Sequence, residues 1–389
     1  MERRKKQPKS TPILATSVKP EDVRVAYVAP DPTVPHNSLP YLPPDPNHLE
    51  SAELNRLLIQ TSRQVAELKG SCLRLPDPTL LLNTIILQES KDSSAIENIV
   101  TTQDELYQAI LTPADTAPHT VKEVLRYREA MYRGLEIMKQ KPFVTGQMAI
   151  SIMQTLRGID AGYRALPGTK IGNQATGLVV YTPPEPQFLT GLISQWEQFV
   201  NNDETYDPLV KLALMHYQFE AIHPFADGNG RTGRILNVLY MIQEGLLTQP
   251  VLYISGHIMK SKSDYYRGLQ GVTNHADWKT WVAYMLTAIK ESAVKGCHFI
   301  EQVMALKQQY LEQIRTISQK VPAQDLNELI FSYPYVKVKA LVERGLGSRP
   351  TATAYLEALA KAGILTKSRY GREYYYINHK LMALLSDED

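Results

Sequence analysis

Apolar positions recur along most of this chain at helical spacing. Leu54, Leu58, Val65 and Leu68 fall on one face of a helix that begins near residue 49, and Gly70 supplies its stop signal. Residues 78–91 are strongly apolar, and 119–140 interleave Leu, Met and Tyr with charges. The same period predicts helices over Thr145 to Arg157, Leu189 to Val200, Pro208 to Ile222 and residues 231–244, and two helical runs over 278–318. Lys170 to Pro184 breaks the pattern and reads as strand and turn. The body is therefore expected to be mainly α, with one small β-hairpin.

The two ends follow other rules. Residues 1–48 are rich in proline, as in Tyr41-Leu42-Pro43-Pro44-Asp45-Pro46, and predict an extended strap lying on the body without a core of its own. Residues 325–345 predict a helix, a short break and a second helix. Ser348-Arg349-Pro350-Thr351 caps a third helix that runs to Lys361 and stops at Gly363. Ile364-Leu365-Thr366 and Tyr374 to Ile377 then flank a turn at Tyr370-Gly371-Arg372. Three helices and a hairpin are the order of a winged helix-turn-helix. The expected division is a strap (1–48), an N-terminal helical region (49–109), a helical core (110–320) and this tail (321–389).

Composition narrows the classes. With 389 residues, 43% apolar and 21% charged, the chain can bury a large core. A net charge of +2 gives no broad field for nucleic acid or membrane, so a polyanion site must be local. Cys72 and Cys297 stand outside any CxxC spacing, which argues against disulfides and structural zinc and fits a cytoplasmic protein. No apolar run is long enough for a membrane span, and the basic opening Met1 to Lys6 lacks the apolar segment of a secretory signal.

Candidate chemistry concentrates in residues 223–234, His-Pro-Phe-Ala-Asp-Gly-Asn-Gly-Arg-Thr-Gly-Arg. His223 can take a proton from an alcohol at neutral pH. Asp227 is a hard-metal ligand suited to Mg²⁺, or a cap for the following helix. Gly228, Asn229 and Gly230 let backbone amides turn toward an anion at a helix start. Arg231 and Arg234, three apart, are expected to point from one helix face at a single phosphate chain, with Thr232 and Gly233 clearing space beside them. A base, a cation ligand, an anion cradle and fixed positive charge together predict phosphoryl or nucleotidyl transfer.

This segment resembles the signature of the Fic family, His-x-Phe-x-(Asp/Glu)-Gly-Asn-Gly-Arg-x-x-Arg, at every fixed position. The resemblance implies a helical Fic core over roughly residues 110–300 and transfer of AMP from ATP to a Ser, Thr or Tyr hydroxyl of a protein, self-modification included. It implies His223 as the base, Asp227 holding Mg²⁺, residues 228–230 cradling phosphates, and Arg231 and Arg234 on the outer ones. Ser93-Ser94-Ala95-Ile96-Glu97-Asn98 resembles the family's inhibitory motif, (Ser/Thr)-x-x-x-Glu-(Gly/Asn), in which the glutamate pairs with the second arginine, here Arg234. Ser93, Glu97 and Asn98 are the inhibitory candidates; because they precede the signature in the same chain, the restraint would be intramolecular. The predicted hairpin resembles the family's flap, so Val179, Val180 and Tyr181 are expected to touch nucleotide or target by strand addition. Lys260 and Tyr265 lie where the family builds its base pocket.

A second reading stays open. Residues 321–389 carry nine Lys or Arg against eight Asp or Glu, and Arg349, Lys361, Lys367, Arg369 and Arg372 could form a small basic stripe for DNA. Near-neutrality favours protein contacts or homodimer formation instead. Within the enzyme reading, removal of AMP or transfer of another phosphate-bearing group at the same centre are the alternatives.

Overall fold

Sixteen consecutive residues of mixed apolar and polar type from 207 to 222 form the pivot on which the other helices stack. In the computed structural model, residues 27–39, 42–73, 79–111, 117–172, 176–317, 322–332, 334–370 and 373–386 are described. Met1 to Lys6, Tyr41 and the turn residues Gly371 and Arg372 lie outside the described residues. The elements run α1 (Ala52–Leu73), α2 (Thr79–Ile96), α3 (Gln103–Leu111), α4 (His119–Gln140), α5 (Gly146–Arg157), β1 (Ile171–Gly172), β2 (Val179–Tyr181), α6 (Leu189–Asn202), α7 (Pro208–Ile222), α8 (Asn229–Gln243), α9 (Ser255–Lys260), α10 (Lys262–His275) and α11 (Trp278–Ile317). The chain is mainly helical, as expected.

Helix α7 begins where Asp207 accepts from the Leu209 amide (2.8 Å) with Pro208 in the first turn, so an orphan donor is satisfied and a missing one costs nothing. Nearly all its residues from Leu209 to Ile222 are buried, which its lack of a polar face requires. Two indoles grip it from opposite sides: Trp196 donates to the Met215 carbonyl (2.9 Å) and Trp281 to the Ala213 carbonyl (2.8 Å). Helix α8, equally buried from Arg231 to Met241, packs on α7 and α4.

Two expectations fail for one reason. Helix α1 runs through Gly70 to Leu73, and residues 278–317 form a single helix of 40 residues instead of two runs. A glycine inside a helix costs about 1 kcal/mol, less than burial beyond it returns. Past Gly70, Ser71 and Cys72 are buried, and Cys72 alone removes a side chain from water. Gly296 marks the crossing of α11 over α1: a Cβ there would lie 2.9 Å from Leu68 Cδ1.

The strap is held by discrete bonds because proline denies it a ladder. Tyr27 donates to the Thr273 carbonyl (2.6 Å), the His36 amide to the Thr182 carbonyl (2.9 Å), and the Thr182 hydroxyl to the Pro32 carbonyl (2.7 Å). Asn37 exchanges two hydrogen bonds with Glu185, one to its carboxylate and one from its amide. The strap thus fastens the exit of the β1–β2 hairpin, whose strands pair antiparallel with Ile171 opposite Tyr181.

The tail comprises α12 (Ala323–Ser332), β3 (Tyr335–Val336), α13 (Val338–Glu343), α14 (Arg349–Lys361), β4 (Thr366–Tyr370), β5 (Glu373–Ile377) and α15 (His379–Ser386). Its sheet has the order β3-β5-β4, all antiparallel. Strand β3 is too short for a period-2 signal, and neither it nor α15 was expected. Among the described residues no helix is long and apolar enough to cross a membrane.

Helix α10 rests on α11 through Gly268, whose added Cβ would stand 2.8 Å from the fully buried ring of Trp281. Gly268→Ala gains about 1 kcal/mol of helix propensity but meets a rigid ring, and overpacking costs about 1–3 kcal/mol. The variant is expected to be the less stable protein, read as a lower urea midpoint at unchanged slope.

Candidate active site

Residues 223–234 span the end of α7, a tight loop and the start of α8. His223 caps α7 in the left-handed region (φ 49, ψ 58), which turns its ring out of the helix row. Its Nδ1 lies 3.3 Å from the Glu220 carbonyl, an oxygen that can only accept. Nδ1 therefore carries the hydrogen, and Nε2 keeps the lone pair a base needs. Burial lowers the His223 pKa to about 4, with Arg164 adding repulsion against a hydrogen bond and two carboxylates that oppose the shift. The ring is neutral at physiological pH.

The loop is closed by Asn229, whose Oδ1 accepts from the Phe225 amide and whose Nδ2 donates to the Phe225 carbonyl, both at 2.8 Å. Gly228 is left-handed (φ 84), and a side chain there would strike Leu156 at 3.2 Å. Arg164 staples the loop from outside: its amide donates to the Pro224 carbonyl, its Nε to the His223 carbonyl (both 2.9 Å), and its guanidinium also to the Pro184 carbonyl at the foot of the hairpin. One buried arginine thus ties the foot of the β1–β2 hairpin to the His223 loop. It sits in an irregular segment, and no sequence pattern marked it.

The two arginines of the signature diverge, which corrects the expectation of convergence on one phosphate chain. Arg231 is buried and directs Nη1 at Glu123 Oε2 (2.9 Å), on the α4 side. Arg157 meets Asp227 (2.9 Å) and approaches Glu123 (3.7 Å), and Arg231 Nη2 lies 3.9 Å from Asp227. Helical rows three apart share a face at the backbone, but a guanidinium turns to the nearest buried carboxylate, because leaving Glu123 unpaired would cost several kcal/mol. Asp227 is 59% exposed at its carboxylate and accepts from the Gly228 amide (2.6 Å).

Arg234 faces the other way. Its Nε donates to Ser93 Oγ (2.8 Å), and Nη2 donates to the Ser93 carbonyl and to Glu97 Oε1, each at 2.9 Å. Burial alone would lower its pKa; Glu97, with Tyr265, Tyr127 and Glu220 around it, outweighs burial and raises it. Glu97 lies in the turn just after α2, not within the helix. Asn98 adopts the left-handed conformation (φ 63), its amide bonding the Ala95 carbonyl and the Ile99 amide the Ser94 carbonyl. This helix stop needs Gly or Asn after the glutamate, which explains that position of the motif. The carboxylate rests on Gly230, where a Cβ would come within 2.4 Å of Glu97 Oε1.

A cleft of about 180 Å³ opens between these groups, lined by Glu97, His223, Arg234 and Glu220, the flap residues Val180 and Tyr181, and Tyr265, Tyr266 and Leu269 of α10. Tyr265 donates to or accepts from His216 Nε2 (2.9 Å), and Tyr181 donates to the Ala221 carbonyl (2.8 Å). Val179 is not among the lining residues. Lys260 is a miss: it lines a separate polar pocket with His257, Glu291 and Lys295, because α9 turns it to the far side. Ligand sites commonly measure roughly 300 Å³ or more, and this cleft, with Glu97 among its lining, is smaller.

Mg²⁺ accepts one or two carboxylates plus phosphate oxygens and water, and Asp227, exposed at the head of α8, fits that donor set. Among the described residues there is no cluster of three His, Cys, Asp or Glu. A metal here would therefore depend on bound phosphates for most of its ligands.

Asn229→Ala would leave the buried amide and carbonyl of Phe225 unpartnered, at about 1–3 kcal/mol for each group. A loss of about 2–6 kcal/mol is expected in chemical denaturation. Stability should also fall on acidification. Burial, with repulsion from Arg234, lowers His216 to about 3, whereas an unfolded imidazole protonates near ~6.5. Protons then load the unfolded chain first, and stability drops as pH falls through that window. His223 acts in the same sense, while Glu220, pushed up to about 7 by burial, opposes one of the two. Urea midpoints from pH 7 to pH 5 should decline, and His216→Phe should flatten the slope.

A family model described as Fic/DOC family N-terminal matches residues 55–136, and one described as the C-terminal domain of SoFic-like protein adenylyltransferases matches 306–381. A probable protein adenylyltransferase of Aquifex aeolicus is 27% identical over 169 residues, 43% of this chain and 51% of that protein. Protein adenylyltransferase Fic of Culex quinquefasciatus is 35% identical over 107 residues, 27% of this chain and 20% of its own length. The chain thus spans about half or less of the curated relatives it matches. In fold it resembles a Fic family protein from Desulfovibrio desulfuricans, with a TM-score of 0.55 at 23% identity, covering 87% of this chain and 98% of that one. Family segments are thus matched on both sides of a complete signature, and the chain is similar to Fic family proteins.

Proposed function

We propose that this protein transfers AMP from ATP to a hydroxyl side chain of a protein, and that Glu97 restrains the reaction from within the chain. The observation that carries the reading is the Glu97–Arg234 pair at 2.9 Å, set in the same cleft as a neutral His223. Arg234 is the one signature guanidinium that lines that cleft, and its ordinary partner in a transfer site would be a phosphate. The names of the curated relatives support the same activity.

In the reaction, Nε2 of His223 takes the proton of the acceptor hydroxyl as its oxygen attacks the α-phosphorus. The bond from that phosphorus to the bridging oxygen breaks, and pyrophosphate leaves with the electron pair. The Glu220 carbonyl holds the imidazole in the tautomer this needs. Amides at the head of α8, with Arg234, neutralise the phosphates. Mg²⁺ bound at Asp227 would add charge neutralisation between phosphates. Arg231, turned to Glu123, orients the loop and Asp227 instead of reaching the outer phosphates. Strand β2, half-buried and paired with β1 in a two-stranded sheet, offers its other edge for a target segment to align its hydroxyl toward His223.

The tail reads better as a protein-contact module than as a DNA reader. Lys367 is committed to Glu357 and stacks over Tyr374 (4.4 Å), and Lys337 pairs with Glu373 beneath Tyr375. Cations already neutralised in this way release few counterions on DNA.

The test uses ATP labelled at the α-phosphate, Mg²⁺ and a cell lysate. Glu97→Gly should raise protein labelling roughly 5- to 150-fold, the span of an ordinary coupling between sites, and adding His223→Ala should remove about 10²- to 10⁴-fold of it. Equal labelling by wild type and Glu97→Gly would overturn the restraint; no labelling by any variant would overturn AMP transfer.

A further inference from the structure

The inhibitory turn is held from a second side by a residue outside both motifs. Helix α10 opens with Lys262, whose Nζ donates to the Ile96 carbonyl (2.6 Å) and lies 3.4 Å from Asn98 Oδ1. Ile96 is the last residue of α2, and Glu97 follows it. The left-handed stop at Asn98 satisfies the Ser94 and Ala95 carbonyls through the amides of Ile99 and Asn98. The Ile96 carbonyl is not served by that stop, and Lys262 takes it. A cation at this point also meets the negative end of the α2 dipole.

Lys262 has no direct part in the cleft. It is not among the lining residues, whereas Tyr265, Tyr266 and Leu269, further along the same helix, are. Its helix is firmly seated: Gly268 packs on Trp281, and Ser261, immediately before Lys262, bonds Tyr284 and the His257 carbonyl. The half-buried ammonium therefore bridges a packed helix of the cleft wall and the end of α2. Ser93 grips Arg234 one turn before the carboxylate, and Lys262 grips the backbone one residue before it. Between them the position of Glu97 is determined from both directions.

We infer that Lys262 is a latch that holds the 96–98 turn against α10 and so keeps Glu97 on Arg234. This rests on the proposed restraint, and it adds a regulatory residue that carries no phosphate-facing role. Releasing the latch lets the turn swing away with its carboxylate, so Arg234 becomes available without loss of any group in the cleft. The nucleotide wall and the restraint are then mechanically joined, since both hang on α10.

The experiment compares wild type, Lys262→Ala, Lys262→Arg, Glu97→Gly and Glu97→Gly/Lys262→Ala in the full chain. Amide hydrogen exchange at Glu97 to Ile99, measured without nucleotide, should quicken in Lys262→Ala and stay near wild type in Lys262→Arg, which can still donate. Labelling from α-labelled ATP should rise about fivefold in Lys262→Ala, the effect of one partly exposed charge-assisted hydrogen bond. It should not rise further when Lys262→Ala is added to Glu97→Gly. Unchanged exchange in Lys262→Ala overturns the latch whatever the labelling shows. An equal gain in both backgrounds also overturns it, by placing Lys262 in catalysis itself. Failure of the restraint is separate: it shows as Glu97→Gly equal to wild type, with the exchange result still deciding whether the turn is latched.

Discussion

A guanidinium buried to 2% exposure must have an anion beside it, and Arg234 organises the centre of this protein around that need. Removing the charge from water costs several kcal/mol, repaid only by close carboxylates or phosphates and by hydrogen bonds on the remaining donors. Ser93 fills two of those donors and Glu97 a third. Behind them Glu89 is itself buried, accepting from Tyr127 and from the Ser255 amide, and Glu220 lies within the same field. Helices α2, α4, α7, α8 and α9 meet where they do because each brings one member of this network.

A second network, on the opposite side of α8, works independently. Glu123 receives Arg231 and approaches Arg157, and Arg157 holds Asp227. Its effect is on orientation, since it sets the loop and the exposed carboxylate without entering the cleft. The six residues between Asp227 and Arg234, Glu97's partner, thus hang between two ionic anchors, and Asn229 closes the loop that links them. Flap and strap complete the frame through Arg164 and Asn37.

Much of this was legible in the sequence where chemistry and local geometry coincide. The limits of α4 and α7 follow from periodicity, from proline and from an Asp cap, all local signals. Glu97 and His223 were read from motifs, and the structure supplies the physical reason for one fixed neighbour, the left-handed Asn98. What was missed depends on distant partners. Nothing near Gly70 or Gly296 in the chain says that helices cross there. Arg164, Arg157, Glu123 and Lys262 act through Pro184, Asp227, Arg231 and Ile96, partners from 20 to 166 positions away. Lys260 ends α9 and Lys262 opens α10, and the break at Ser261 sends one to a separate pocket and the other to the 96–98 turn.

Gly230 carries a consequence beyond its conformation. The space its missing side chain leaves is where Glu97 Oε1 now sits, 2.4 Å from where a Cβ would be. That space lies at the head of α8, where amides and Arg234 favour an anion. Under the proposed restraint, a carboxylate of the chain and a phosphate from solution compete for a single berth, without any movement of domains. The timing of such an exchange belongs to a side chain and a turn, on the scale of local loop motion, not of global rearrangement.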